Sequence, residues 1–205
     1  MGRKERGLGL AVVERIWDQR TAYSVRSLFD LLGEDERGFG PTIFRQTTAS
    51  HPFLSSIRSV AADRDVRLMH IVAHGRRGKV PGNGKIWGVT HKQTAEAIQP
   101  GRGKVTGVYL AVCSLGRTLP LRIMRETDLE WIAYYNGSAL WIPSACLETA
   151  FWYEFNHQRS IGKVAQTLNR HYADLSDMLG FRILARRRGA LVPLIGPRRR
   201  ATAER

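Results

Sequence analysis

A chain of 205 residues, 43% hydrophobic and 24% charged, has the composition of one globular domain with a sizeable core, which excludes a disordered polymer. Its 32 Lys and Arg against 18 Asp and Glu leave a formal charge of +14, a bias toward acidic partners that names none of them. Two cysteines, Cys113 and Cys146, are too few for a disulfide framework or a cysteine-built zinc site, and no apolar run reaches the ~18 residues of a bilayer span. The basic start MGRKERGLGLAVVERIWD gathers charge too soon for a signal peptide, so a cytoplasmic protein without membrane contact is expected.

Along the chain, apolar runs alternate with helical patterns. Residues 8 to 17 (LGLAVVERIW) predict a strand, and Val25, Leu28, Phe29 and Leu32 then recur at helical spacing across about 22 to 36. The pair repeats as a short apolar stretch near Thr42 to Arg45 and a helix from about Ser50 to Ala62. Residues 66 to 73 (VRLMHIVA) are nearly continuous in apolar character and stop at His74-Gly75, as a strand covered on both faces would. A glycine-rich segment at 78 to 84 precedes IWGVTHKQTAEAI, a short strand and a helix.

Residues 105 to 113 (VTGVYLAVC) predict a second central strand, followed by a turn at 114 to 120. Residues 131 to 135 (WIAYY) predict another, closed by Asn136-Gly137. Helices are expected from about Ser144 to Asn156 and near 161 to 179, and FRILAR is expected as the last strand. Strands separated by helices imply parallel pairing, hence an α/β fold: a three-layer α/β/α sandwich over residues 1 to 186 with a mostly parallel central sheet. Residues 187 to 205, rich in Arg, Gly and Pro, read as a basic, partly mobile tail.

In open parallel sheets, ligands sit beyond the carboxyl ends of the strands, and two reactive side chains fall there. His74 ends one expected central strand and Cys113 ends the next long one, each before a glycine-containing turn, HGRRG and CSLG. A thiol with a reference pKa near ~8.5 is mostly protonated at neutral pH, so an adjacent imidazole that takes its proton makes it a competent nucleophile. His74 would do this for Cys113. The backbone amides of Gly75 and Cys113 would hold the oxyanion, and no cofactor or metal is called for.

The order and strand context of HIVAHG and YLAVCSLG resemble those of the caspase-like cysteine peptidases, including metacaspases and bacterial CHAT-type domains. The segment WIAYYNGSALWIPSACLETAFWYEF is similar to the strand after the catalytic cysteine and the helix behind it, so the likeness covers roughly residues 8 to 186. It implies a cysteine endopeptidase acting on a protein or peptide, a regulated effector of stress or defence, with an activating protein partner. Metacaspases carry an acidic residue two positions before the cysteine and many caspases a glutamine; Ala111 stands there, so no cleavage preference transfers.

Plainer readings stand beside these. A cysteine at a strand end is ordinarily a small hydrophobe, and Cys146, between Ala145 and Leu147 of an expected helix, is assigned to packing. His70 and His74 are ~13 Å apart along a strand, too far to share a metal, which leaves His70 structural. His51, His91, His157 and His171 lack matched partners and read as surface or capping residues. An α/β-hydrolase elbow needs a small residue where Leu115 stands, and neither GRGKV nor GNGK completes a phosphate loop. Two alternatives remain open: a catalytically silent interaction module of the same fold, and a basic nucleic-acid-binding protein using the C-terminal arginines. Arg76 and Arg77, after His74, could line the cleft.

Overall fold

The computed structural model describes residues 9–16, 24–34, 43–73, 85–86, 89–99 and 104–196. Their elements follow the alternation: β1 (Leu10–Arg15), α1 (Arg26–Gly33), β2 (Ile43–Thr47), α2 (Ser50–Ala62) and β3 (Leu68–Ala73). Next come β4 (Lys85–Ile86), β5 (Val89–Thr90), α3 (His91–Ile98), β6 (Gly107–Val112), α4 (Thr118–Glu126) and β7 (Trp131–Tyr135). The chain then runs through α5 (Trp141–Gln158), α6 (Ile161–His171) and α7 (Ala173–Met178) into β8 (Phe181–Arg187) and β9 (Ala190–Ile195). Seven strands form one sheet in the order β2-β1-β3-β6-β7-β8-β9, while β4 and β5 make a separate short ribbon.

The strands from β2 to β7 pair in parallel, and their apolar character on both faces is what such a sheet requires. Alternation along each strand sends Ala11, Val13, Met69, Ile71, Val108 and Leu110 toward α2, α3 and α4. The intervening residues Leu10, Val12, Leu68, Val72 and Tyr109 face α1, α5 and α6. The result is a three-layer α/β/α sandwich. Helix α5 buries Ser144, Leu147, Glu148, Phe151, Trp152 and Phe155, positions three and four apart that form one stripe against the sheet. Gly107 has a packing reason: a Cβ there would fall 2.0 Å from the Trp131 indole, which lies across β6.

Three findings differ from expectation. Residues 118 to 126 form α4, which takes in the last three residues of the turn expected at 114 to 120 and a stretch with no expected element; Leu119, Ile123 and Met124 are its buried stripe, and Pro120 sits within its first turn. FRILAR is followed by β9, so residues 190 to 195 belong to the sheet, while residues 197 to 205 lie outside the described residues. Arg186 anchors β8: its Nη2 donates to the carbonyls of Met124 and Thr127, and its Nε to that of Leu129, tying the end of α4 to β8.

The third concerns direction. β8 pairs antiparallel to β7 although helices separate them. Helix α5 carries the chain ~27 Å away from the end of β7, and α6 packs against it and brings the chain back. β8 therefore begins where β7 ended, with Phe181 opposite Tyr135 and Asn136 N–H donating to the Gly180 carbonyl at 2.8 Å. Two long helices, followed by the short α7, make the connection return to the end it left.

Candidate active site

Five carboxyl-terminal strand ends converge on one side of the molecule. β3 and β6 are immediate neighbours, with Ala73 opposite Val112, so the last described residue of β3 is level with the residue before Cys113. His74 and Gly75, which follow Ala73 in the chain, lie outside the described residues, as do Arg76, Arg77 and residues 78 to 84.

Cys113 belongs with Tyr109 and Ala111 by the two-residue alternation of β6 and points to the α1/α5 face. Its side chain is partly exposed, and the thiol donates to the Ala139 carbonyl at 3.3 Å. The chain bends sharply just beyond it. Ser114 adopts a left-handed conformation with φ 53°, costly for a residue with a Cβ, and Gly116 follows at φ 66°. Ser114 N–H donates to the Gly137 carbonyl at 2.8 Å and Leu115 N–H to the Tyr135 carbonyl at 3.3 Å, so the turn is braced on the loop after β7. Those two amides are thereby committed within the fold.

The thiol opens onto a cavity of about 560 Å³, within the size range of small-molecule and side-chain pockets. Its walls come from the ends of β3 and β6 (Val72, Ala73, Ala111), from α1 (Leu28, Leu31) and from the start of α5 (Trp141, Ala145). The α1 wall is held by Glu14, fully buried at the end of β1. Its carboxylate accepts from Ser24 Oγ at 2.7 Å, Val25 N–H at 2.9 Å and Gln46 Nε2 at 2.8 Å, tying the first turn of α1 to β1 and β2.

Below the cavity lies a buried polar chain. Tyr109 and Tyr135 share a hydroxyl hydrogen bond of 2.7 Å, and Tyr135 Oη donates to Glu148 Oε1 at 3.0 Å. Trp152 Nε1 donates to His70 Nδ1 at 3.1 Å; an indole N–H only donates, so Nδ1 carries no proton and the ring is neutral with its proton on Nε2. That Nε2 lies 3.3 Å from Glu148 Oε2, off the line of a good hydrogen bond. Burial pushes the hydroxyls of Tyr109 and Tyr135 well above the ordinary phenol range, and the Glu148 charge adds to the rise.

His70 is structural, as its strand position implied. Cys146 lies in a helix as expected, but its side chain is exposed and packs no core, because the buried stripe of α5 passes through Leu147 and Glu148. His51 and His171 are exposed, His157 contacts the Tyr153 carbonyl, and the side chain of His91 lies outside the described residues. Sequence reasoning passed over Glu148, Tyr135, Glu14 and Ser24. Glu148 had a signal: it stands three and four residues before Phe151 and Trp152 and four after Ser144, the one acid on an otherwise core-facing stripe. Among the described residues no group of three or more His, Cys, Asp or Glu could hold a metal ion, and no helix is long and apolar enough to cross a membrane. No protein-family model matches this chain, and no curated protein does.

Proposed function

We propose that this chain is a cysteine endopeptidase in which Cys113 is the nucleophile and His74 the general base. The observation that carries this reading is the placement of Cys113: at the end of a central strand, on a strained turn, half-exposed in a cavity, one strand away from the end of β3 that leads into His74.

The reaction then follows from elementary chemistry. His74 takes the thiol proton and the sulfur attacks the scissile carbonyl, forming a C–S bond and an oxyanion held by the amides of Cys113 and Gly75. Collapse of that intermediate breaks the C–N bond, and His74 returns the proton to the departing amine. Water, deprotonated by His74, hydrolyses the thioester and restores the thiol. The bond from the thiol to the Ala139 carbonyl holds the protonated side chain until substrate displaces it. Exposed Leu140 and Ile142, beside the Trp141 wall, offer an apolar shelf for the peptide on either side of the cleaved bond.

The test is profiling of a peptide library and labelling with peptidyl acyloxymethyl ketones for the wild type, Cys113→Ala and His74→Ala. Wild type is expected to cleave and to be labelled at Cys113; Cys113→Ala abolishes both, and His74→Ala lowers cleavage by roughly 10³-fold or more. An inert wild type whose Cys113 resists every electrophile, with candidate activating proteins present, would overturn the reading in favour of an interaction module.

A further inference from the structure

On the edge of the sheet opposite Cys113, at the amino ends of β3, β6 and β7, a second cavity of about 390 Å³ is large enough for a small molecule. Arg67, Thr106, Glu130 and Trp131 line it from the strand starts, and Arg159 and Ser160 from the corner between α5 and α6. The strand starts are braced by backbone bonds: Thr106 N–H donates to the Arg67 carbonyl at 2.7 Å, and Glu130 N–H to the Thr106 carbonyl at 2.8 Å. Trp131 is only 2% exposed, and its indole N–H can only donate. That N–H has no hydrogen-bond partner among the described residues and is not one of the sealed polar atoms of the core, so it opens on the cavity that Trp131 lines.

Further donors surround the same space. Arg159 holds a left-handed backbone at φ 50° and places its Nε on the Asn156 carbonyl at 2.9 Å, while Arg67 Nη1 donates to the Lys104 carbonyl at 3.3 Å. Each of these bonds orients a guanidinium and leaves other N–H groups of it over. The first bond within α6 runs from Val164 N–H to the Ser160 carbonyl, so the amides of Ile161, Gly162 and Lys163 have no partner inside the helix, and the Ser160 side chain does not cap them. Arg187 stands at the same helix start, its Nη2 3.0 Å from where a Gly162 Cβ would be. Guanidiniums, helix-start amides and a buried indole N–H together suit a tetrahedral oxyanion. Glu130, the acid of the lining, suits a hydroxyl instead, since a carboxylate only accepts. We propose that this cavity binds a phosphate monoester carrying hydroxyl groups, of the size of a pentose phosphate. Arg67, Arg159 and the start of α6 hold the phosphate, Trp131 donates to a ligand oxygen, and Glu130 accepts from a hydroxyl. The site is separate from Cys113 and independent of the peptidase reading.

The experiment titrates ribose 5-phosphate, AMP, inorganic phosphate and ribose into the full chain and follows the Trp131 indole N–H resonance by NMR, with the melting curve alongside. Ribose 5-phosphate is expected to move that resonance saturably with Kd below about 1 mM, inorganic phosphate to bind about tenfold more weakly, and ribose to leave it in place. AMP beside ribose 5-phosphate tells a nucleotide from a free sugar phosphate by which binds more tightly. Arg159→Gly and Arg67→Gln should each weaken binding about 10- to 100-fold, the scale of a hydrogen bond to a charged group. Glycine accepts the left-handed backbone at 159 without strain, so Arg159→Gly should melt no lower than wild type while losing the ligand. Should either variant fold poorly, the wild-type titration decides alone. A resonance that no probe moves overturns the site, as does undiminished affinity in both arginine variants. Inorganic phosphate binding as tightly as the ester overturns the hydroxyl contact with Glu130.

Discussion

The two faces of the sheet are built from the same strands and differ in kind. Toward α2, α3 and α4 the core is almost wholly aliphatic, with Phe53 and Tyr134 as its aromatic members. Toward α1, α5 and α6 it is aromatic, and rings of Tyr109, Trp131, Phe151, Trp152, Phe155 and Phe181 meet at edge-on and tilted angles. Buried Glu14 and His70 of the strands, with Glu148 of α5, are on the aromatic side, as are Cys113 and the cavity, while Arg15 at the end of β1 reaches Ser50 of α2 on the other. Aliphatic packing can supply stability without directing a polar atom anywhere, whereas Tyr and Trp fill volume and still place a donor. The difference teaches that one face supports and the other positions.

That comparison can be broken by substitution. Phe53→Ala, on the aliphatic face, is expected to cost about 3 to 5 kcal/mol in chemical denaturation while the labelling rate of Cys113 in the folded fraction stays unchanged. A loss of labelling at constant stability would show that the two faces do not divide in this way. Tyr135→Phe, on the aromatic face, removes the hydroxyl joining Tyr109 to Glu148 and should cost about 1 to 3 kcal/mol, since Glu148 loses its better-aligned donor. It should also change the labelling rate, which Phe53→Ala does not.

The smallest expected effect is on pH dependence. Tyr109 and Tyr135 have folded pKa values raised above the ~10 of an exposed phenol, so the native state keeps protons that the unfolded chain gives up. Their contribution is intact below pH ~10 and is lost as the pH rises toward their folded values. Melting temperature should therefore fall on the alkaline side, with the tyrosinate absorbance that wild type shows in excess of Tyr135→Phe rising only as the protein unfolds, and the fall should be shallower in Tyr135→Phe. An excess of tyrosinate absorbance over Tyr135→Phe appearing well before unfolding would mean the aromatic face is open to water.

The strand and helix order was legible because parallel strands covered on both faces leave continuous apolar runs, as in LMHIVA and GVYLAV, and because α2 repeats its apolar residues at helical spacing. Cys113 was legible for the same reason: a reactive residue at the end of such a run is at the carboxyl edge of the sheet. Helix α4 was not, since the Ser-Leu-Gly turn and Pro120 mask its start. β9 was not, since an antiparallel hairpin edge with Pro193 and flanking arginines reads as a tail until Leu191 and Ile195 are seen against β8.

What the amino-acid sequence determined by itself is the local part: which segments extend, which coil, and that a cysteine and a histidine follow two strands. What only the tertiary structure decided is which strands are neighbours, on which face each side chain falls, and that Glu148, 35 residues after Cys113, closes the same cavity. Periodicity reports the burial of a side chain but not its partner. Partners are chosen by strand order and by the two-helix return through α5 and α6, which depend on packing across the whole chain rather than on any one segment.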